Sequence, residues 1–128
     1  MMNVMSRLVI LLLLFSLAVP AAEEELIFSG LPVVRYDVDG KEAIRVELSD
    51  QGSHKYVCRI VGRGKRYFWA SRGNRELLRF DAGGFTYFVS PEGSGFIKVA
   101  LAKGADYDYM ESFTAEMKTI TYWGKREK

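Results

Sequence analysis

The feature that most constrains the fold of this 128-residue chain is a succession of short apolar-alternating runs separated by glycine-containing turns. In segments such as Tyr56 to Val61 and Phe85 to Val89, every second residue is apolar. A period of two with closely spaced turn signals is typical of antiparallel strands. We therefore predict a mainly β fold, either a small antiparallel sheet or a partly closed β-barrel of about seven short strands, since closure hides exposed strand edges.

The first predicted hairpin joins a strand at 34–38 to a strand at 43–48. The apolar residues of both strands are even-numbered, and residues that face each other across a hairpin share one side of the sheet. Matched faces favour a three-residue loop at 38–40, which pairs Asp37 with Lys41 and places Gly40 where a positive φ is needed.

Three further features complete the predicted sheet. Two later hairpins turn at 62–65 and at 91–95, and the last strand runs from Thr119 to Trp123 and ends at Gly124. Residues 125–128 are predicted to be a frayed basic tail.

Two segments allow more than one structure. Residues 106–118 are predicted to form one C-terminal helix with Asp106 as its cap, because Tyr107, Met110, Phe113 and Met117 lie three to four residues apart. The same segment also has apolar residues that fit a period of two. Residues 71–80 contain a turn signal followed either by a short strand or by a helical turn.

The first 22 residues have the pattern of a cleavable secretory signal peptide. Arg7 precedes an uncharged run from Leu8 to Val19, and small residues end the segment at Ala21 and Ala22. The run has 12 residues, whereas a membrane span needs about 20. We therefore expect cleavage after Ala21 or Ala22, one β-rich domain at 23–124 with no membrane span after cleavage, and an extracytoplasmic location, periplasmic or secreted.

Catalytic and metal-binding motifs are not evident. Cys58 and His54 could form a thiol–imidazole pair, but in a strand they would lie about 13 Å apart. Cys58 is therefore interpreted as a buried packing residue and His54 as an exposed loop residue. The chain has one cysteine and one histidine, so neither an intrachain disulfide nor a Cys/His zinc shell is expected. No catalytic residues, metal site or cofactor is predicted.

Basic residues are concentrated between residues 55 and 79, where eight lysines and arginines accompany one acid, Glu76. Basic side chains beside aromatic rings can bind anionic polymers or an acidic protein surface, and a glycine-containing turn at 62–66 can offer backbone N–H groups to an anion. Nucleic acid has the same signature, but the export signal removes it as a partner. The candidate ligand-binding residues are Arg63, Lys65, Arg66, Trp69, Arg72, Arg75 and Arg79. The alternative is a solvated basic face that acids elsewhere in the chain balance.

These patterns favour an exported, non-enzymatic binding module that contacts an anionic envelope component or a partner protein through a basic surface. A small envelope enzyme or an enzyme inhibitor is one alternative, and a structural component of an envelope assembly is another. The sequence does not predict the oligomeric state.

Overall fold

A computed structural model of the chain describes residues 23–48, 56–102 and 106–127. The predicted signal peptide and His54 therefore lie outside the described residues. The described part contains one 3₁₀ turn at Ala70–Arg72 and nine strands: β1 (Glu24–Val38), β2 (Ala43–Glu47), β3 (Cys58–Arg63), β4 (Arg66–Trp69), β5 (Arg75–Ala82), β6 (Phe85–Val89), β7 (Gly95–Ala100), β8 (Tyr109–Ala115) and β9 (Lys118–Arg126).

Eight of these strands form a closed antiparallel barrel, and β2 is an additional strand. From β3 to β9, each strand pairs with the next strand in the chain. The 15-residue β1 closes the barrel because it pairs with two barrel strands: its first half pairs with β3 and its second half with β9. The second half of β1 also pairs with the additional strand β2. Register shifts within β1 accompany both barrel pairings. Such bulges bend a strand and increase its twist, which barrel closure requires.

The barrel has two ends, which we name by their turns. The β3–β4 end also contains the β5–β6 turn and the β7–β8 connection, and the β4–β5 end contains the β6–β7 and β8–β9 turns. Consecutive connections alternate between the ends because all neighbouring strands are antiparallel.

The mainly β prediction and the barrel are confirmed, but the predicted helix at 106–118 is wrong. Residues Tyr109–Ala115 form β8, and a turn at Glu116 and Met117 leads directly into β9. The helical pattern required Met117 to face the core, whereas its side chain is 88% exposed. The period-two pattern prevails because β8 pairs with β7 on one side and β9 on the other, which satisfies its backbone groups along both edges.

The predicted register of the first hairpin is also wrong. Asp37 pairs with Ile44 rather than with Lys41, so the connecting loop has four residues, 39–42. The Asp39 carboxylate accepts hydrogen bonds from the backbone N–H groups of Lys41 (2.7 Å) and Glu42 (2.9 Å), which stabilises this longer turn. Face matching does not control the register here because β2 is almost entirely exposed.

Two turns and the last strand can also be compared with their predicted bounds. The turn after β3 has two residues, Gly64 and Lys65, instead of the four predicted at 62–65, and Gly64 has a φ of 64°. The predicted turn at 91–95 lies in the predicted place but ends at Ser94, because β7 begins at Gly95, whose carbonyl oxygen accepts a hydrogen bond from the Ser90 N–H at 3.0 Å. The last strand continues past Gly124 through Arg126, so Lys125 and Arg126 are paired with β1 and the frayed tail does not begin at 125.

The barrel interior is filled by side chains from alternate positions of all eight barrel strands, which is the packing expected for a barrel of this size. The central cluster consists of Phe28, Cys58, Ile60, Trp69, Leu77, Phe88, Ile97, Val99 and Tyr109. Of the two alternatives for 71–80, the turn followed by a strand is the one observed.

Glycines allow Tyr109 to sit against the β1–β9 seam. A Cβ added to Gly30 would approach the Tyr109 ring, with 2.8 Å to Cδ1, and one added to Gly124 would lie 2.7 Å from Tyr109 Cε1. Any larger residue at either position would collide with the ring, so the closing pair of strands depends on these two glycines.

Candidate functional site

The structure distributes the seven candidate ligand-binding residues over separate parts of the barrel. Arg63, Lys65 and Arg66 lie at the β3–β4 end, whereas Arg72 and Arg75 lie at the opposite, β4–β5 end. Trp69 is 1% exposed and belongs to the core. Arg79 lies on the same side of β5 as the inward-facing Leu77. Its guanidinium donates a hydrogen bond to the Tyr67 hydroxyl at 3.2 Å. The candidates therefore do not form one continuous basic surface.

Four of the candidate arginines contact carboxylates. The ion pairs are Arg63–Glu24 (3.0 Å), Arg66–Glu76 (2.5 Å), Arg75–Glu92 (3.7 Å) and Arg79–Asp81 (3.8 Å). The Arg66–Glu76 pair is bidentate and lowers the pKa of Glu76. Folding brings acids from distant parts of the sequence to this basic segment, as the alternative of a balanced, solvated face predicts.

Arg72 has a different environment. Its guanidinium carbon lies 3.6 Å from the centroid of the Phe113 ring and 4.4 Å from that of Tyr56. Arg72 has no ion pair with any described residue, and its buried Nε and Nη2 atoms have no hydrogen-bond partner within the described part of the chain. These two N–H groups form one edge of the planar fork that binds a carboxylate or phosphate in a bidentate manner.

A cavity of about 480 Å³ opens beside Arg72 at the β4–β5 end. The 3₁₀ turn and Gly73, in the left-handed conformation at φ 71°, carry Arg72 across the end of the barrel, and the β6–β7 and β8–β9 hairpins supply the opposite wall. The lining residues are Trp69, Arg72, Gly73, Arg75, Ser94, Phe113, Thr114 and Ala115. The cavity thus combines two guanidinium groups, aromatic faces and hydroxyl groups.

Glu111 lies in the barrel interior, in contact with the cavity residue Trp69, and the sequence did not predict it as a candidate residue. Its side chain is 0% exposed, and its Oε2 accepts hydrogen bonds from Trp69 Nε1 (2.6 Å) and from the Tyr56 hydroxyl (2.8 Å). Burial raises the pKa of Glu111, an effect that the Tyr56 hydroxyl and the charge of Arg72 oppose. Glu111 was not predicted because a helix over 106–118 does not place its side chain on the core face. The alternation of Tyr109, Glu111 and Phe113 in a strand does place it there.

The predicted burial of Cys58 is confirmed, with 0% exposure. Burial and the nearby Glu111 carboxyl raise the pKa of the Cys58 thiol. A thiol with a raised pKa is a poor nucleophile, because the thiolate is the reactive form. Within 23–48, 56–102 and 106–127, no group of three or more His, Cys, Asp or Glu side chains could hold a metal ion.

Among the residues that the structure describes, no helix has the length and apolar character needed to cross a membrane. Comparison with protein-family models, curated proteins and solved structures found no match to this chain.

Proposed function

We propose that the chain is an exported, non-enzymatic binding module, and that the cavity at the β4–β5 end holds the anionic group of a small envelope component. The proposal keeps the anionic ligand that the basic segment indicates but moves the site from a broad basic surface to Arg72 and its surroundings. Arg75 contributes a second positive charge to the same cavity.

The observation that supports this site above the other candidates is the unpartnered edge of Arg72. Arg63, Arg66, Arg75 and Arg79 each contact a carboxylate, whereas Nε and Nη2 of Arg72 have no partner among the described residues. Phe113 and Tyr56 support the guanidinium plane and restrict its orientation. A guanidinium that is already oriented loses less entropy when it binds an anion.

The cavity also indicates the size and polarity of the ligand. A volume of about 480 Å³ suits a small organic molecule and falls in the range of small-molecule pockets. The Phe113 ring can contact an apolar part of the ligand, while Ser94 and Thr114 offer hydroxyl groups beside the charged end.

The test is a titration of the protein with citrate and with glycerol phosphate, followed by NMR of the arginine Nε–H groups. We expect the Arg72 resonance to shift in a saturable manner, and we expect Arg72→Gln to weaken binding about tenfold or more, as loss of a charged hydrogen-bond pair predicts.

The matched control is Lys65→Gln, which removes the same charge from an exposed position at the opposite end of the barrel. It should leave the titration unchanged. If neither anion shifts Arg72, or if binding survives Arg72→Gln and is lost on charge reversal of Arg63, Lys65 and Arg66, the cavity is not the site.

A further inference from the structure

The outer surface of the barrel carries a continuous row of side chains that the proposed anion site does not involve. Strand register places five residues side by side on neighbouring strands, since Phe80 pairs with Tyr87, Tyr87 with Lys98, Lys98 with Met110, and Met110 with Trp123. The alternate residues of these strands, such as Phe88 and Ile97, fill the core, so this row faces outward. At about 4.8 Å per strand, the row spans about 19 Å.

Both ends of this row present aromatic faces. Phe80 is 51% exposed and stacks on Tyr87 with a centroid distance of 4.9 Å and an interplanar angle of 10°, so each ring covers one face of the other. At the other end, Tyr107 lies against Trp123 at 5.8 Å. An outward strand face that carries aromatic rings instead of polar residues departs from the usual inside-out alternation of an antiparallel barrel.

A cavity of about 320 Å³ lies at the Trp123 end of the row. Besides Phe85, Tyr107 and Trp123, its wall includes the charged residues Lys98, Asp106 and Asp108. Lys98 Nζ is 4.1 Å from the Phe85 centroid and has no ion pair among the described residues. The backbone N–H of Arg126 donates to Asp108 Oδ2 at 2.9 Å, which orients that carboxylate.

We infer that this row is a binding site for a linear, neutral saccharide chain. A strongly charged ligand would be repelled by either Lys98 or the two aspartates, and a purely apolar ligand would desolvate all three without replacing their hydrogen bonds. A neutral sugar ring avoids both the charge repulsion and the loss of hydrogen bonds. Its hydroxyl groups donate to carboxylates and accept from an ammonium group, while its C–H face packs on an aromatic ring. The length of the row and its aromatic ends favour an extended chain over a single ring.

The test is an array of neutral linear oligosaccharides probed with the labelled protein, followed by calorimetric titration of the bound sequence. We expect at least one saturable ligand. Phe80→Ala should weaken its binding about fivefold, since one exposed aromatic face is lost. Lys98→Met should weaken it further while preserving the side-chain length.

Leu78→Ala is the matched control, because Leu78 is 57% exposed on the same strand but lies outside the row. The Leu78→Ala variant should bind the saccharide with the same affinity as the unsubstituted protein. A blank array, or equal loss in Phe80→Ala and Leu78→Ala, overturns the inference. The inference is also overturned if sedimentation shows that Phe80→Ala dissociates a dimer and saccharide binding is unaffected. Arg72→Gln should leave saccharide binding intact, which separates this site from the proposed anion site.

Discussion

Glu111 provides the sharpest test of the barrel interior, because its buried carboxyl group accepts hydrogen bonds from both Trp69 and Tyr56. In Glu111→Ala, Trp69 Nε1 loses its acceptor and the Tyr56 hydroxyl retains only Ser71, at 3.2 Å. Leaving a buried donor unsatisfied costs about 1–3 kcal/mol, and the missing side chain leaves a cavity. We expect the free energy of unfolding to fall by about 3–5 kcal/mol.

Glu111→Gln is the informative partner variant, since its carbonyl oxygen can accept both hydrogen bonds without carrying a charge. Because burial raises the pKa of Glu111 above its ordinary value of 4.5, the folded state holds this proton more tightly than the unfolded state does. The stabilising contribution of Glu111 is therefore complete below that value and is lost as the pH rises through the folded pKa. In this window the unchanged protein should lose up to about 1.4 kcal/mol per pH unit relative to Glu111→Gln.

Urea unfolding at several pH values between 5 and 8, followed by tryptophan fluorescence, measures both effects. A difference between the unchanged protein and Glu111→Gln that stays flat or grows in favour of Glu111 with rising pH would show that Arg72 and the two donors outweigh burial. A small effect of Glu111→Ala would show that water replaces the missing acceptor.

Three further predictions concern the fold and the N-terminus. Gly124→Ala should destabilise the barrel by about 3 kcal/mol or more, because its Cβ would collide with Tyr109 and with the Leu31 carbonyl group, whereas Gly40→Ala has open space and should change the unfolding midpoint little. Cys58 should react with a thiol reagent only after denaturant is added; rapid labelling of the folded protein would contradict its burial. N-terminal sequencing of the protein recovered from expressing cells should give Ala22 or Glu23 as the first residue, as the proposed export predicts, and an intact Met1 would contradict the proposed cleavage.

The β class and the hairpins β1–β2, β3–β4 and β6–β7 could be predicted because they depend on local patterns. Alternation and glycine turns locate β6 and β7 well, and their hairpin turns in the predicted place. The closing element could not be predicted in the same way. β1 contains Pro32, and its pairings with β3 and β9 each include a register shift, so its 15 residues do not alternate regularly. Neither of these two barrel partners is the next strand in the chain.

Contacts between distant parts of the chain also explain why the local charge of the basic segment does not describe the surroundings of its arginines in the fold. Between residues 55 and 79 the sequence shows one acid, yet Glu24 reaches this segment from β1 and Glu92 from the β6–β7 turn, and Asp81 follows Arg79 on β5. Arg72 differs from these arginines in two respects. The β8–β9 hairpin places Phe113 against its guanidinium plane, and no described carboxylate lies within ion-pairing distance of it. The feature that separates Arg72 from the ion-paired arginines is thus the partner that the fold supplies or withholds, and that partner is set by strand register rather than by local charge density.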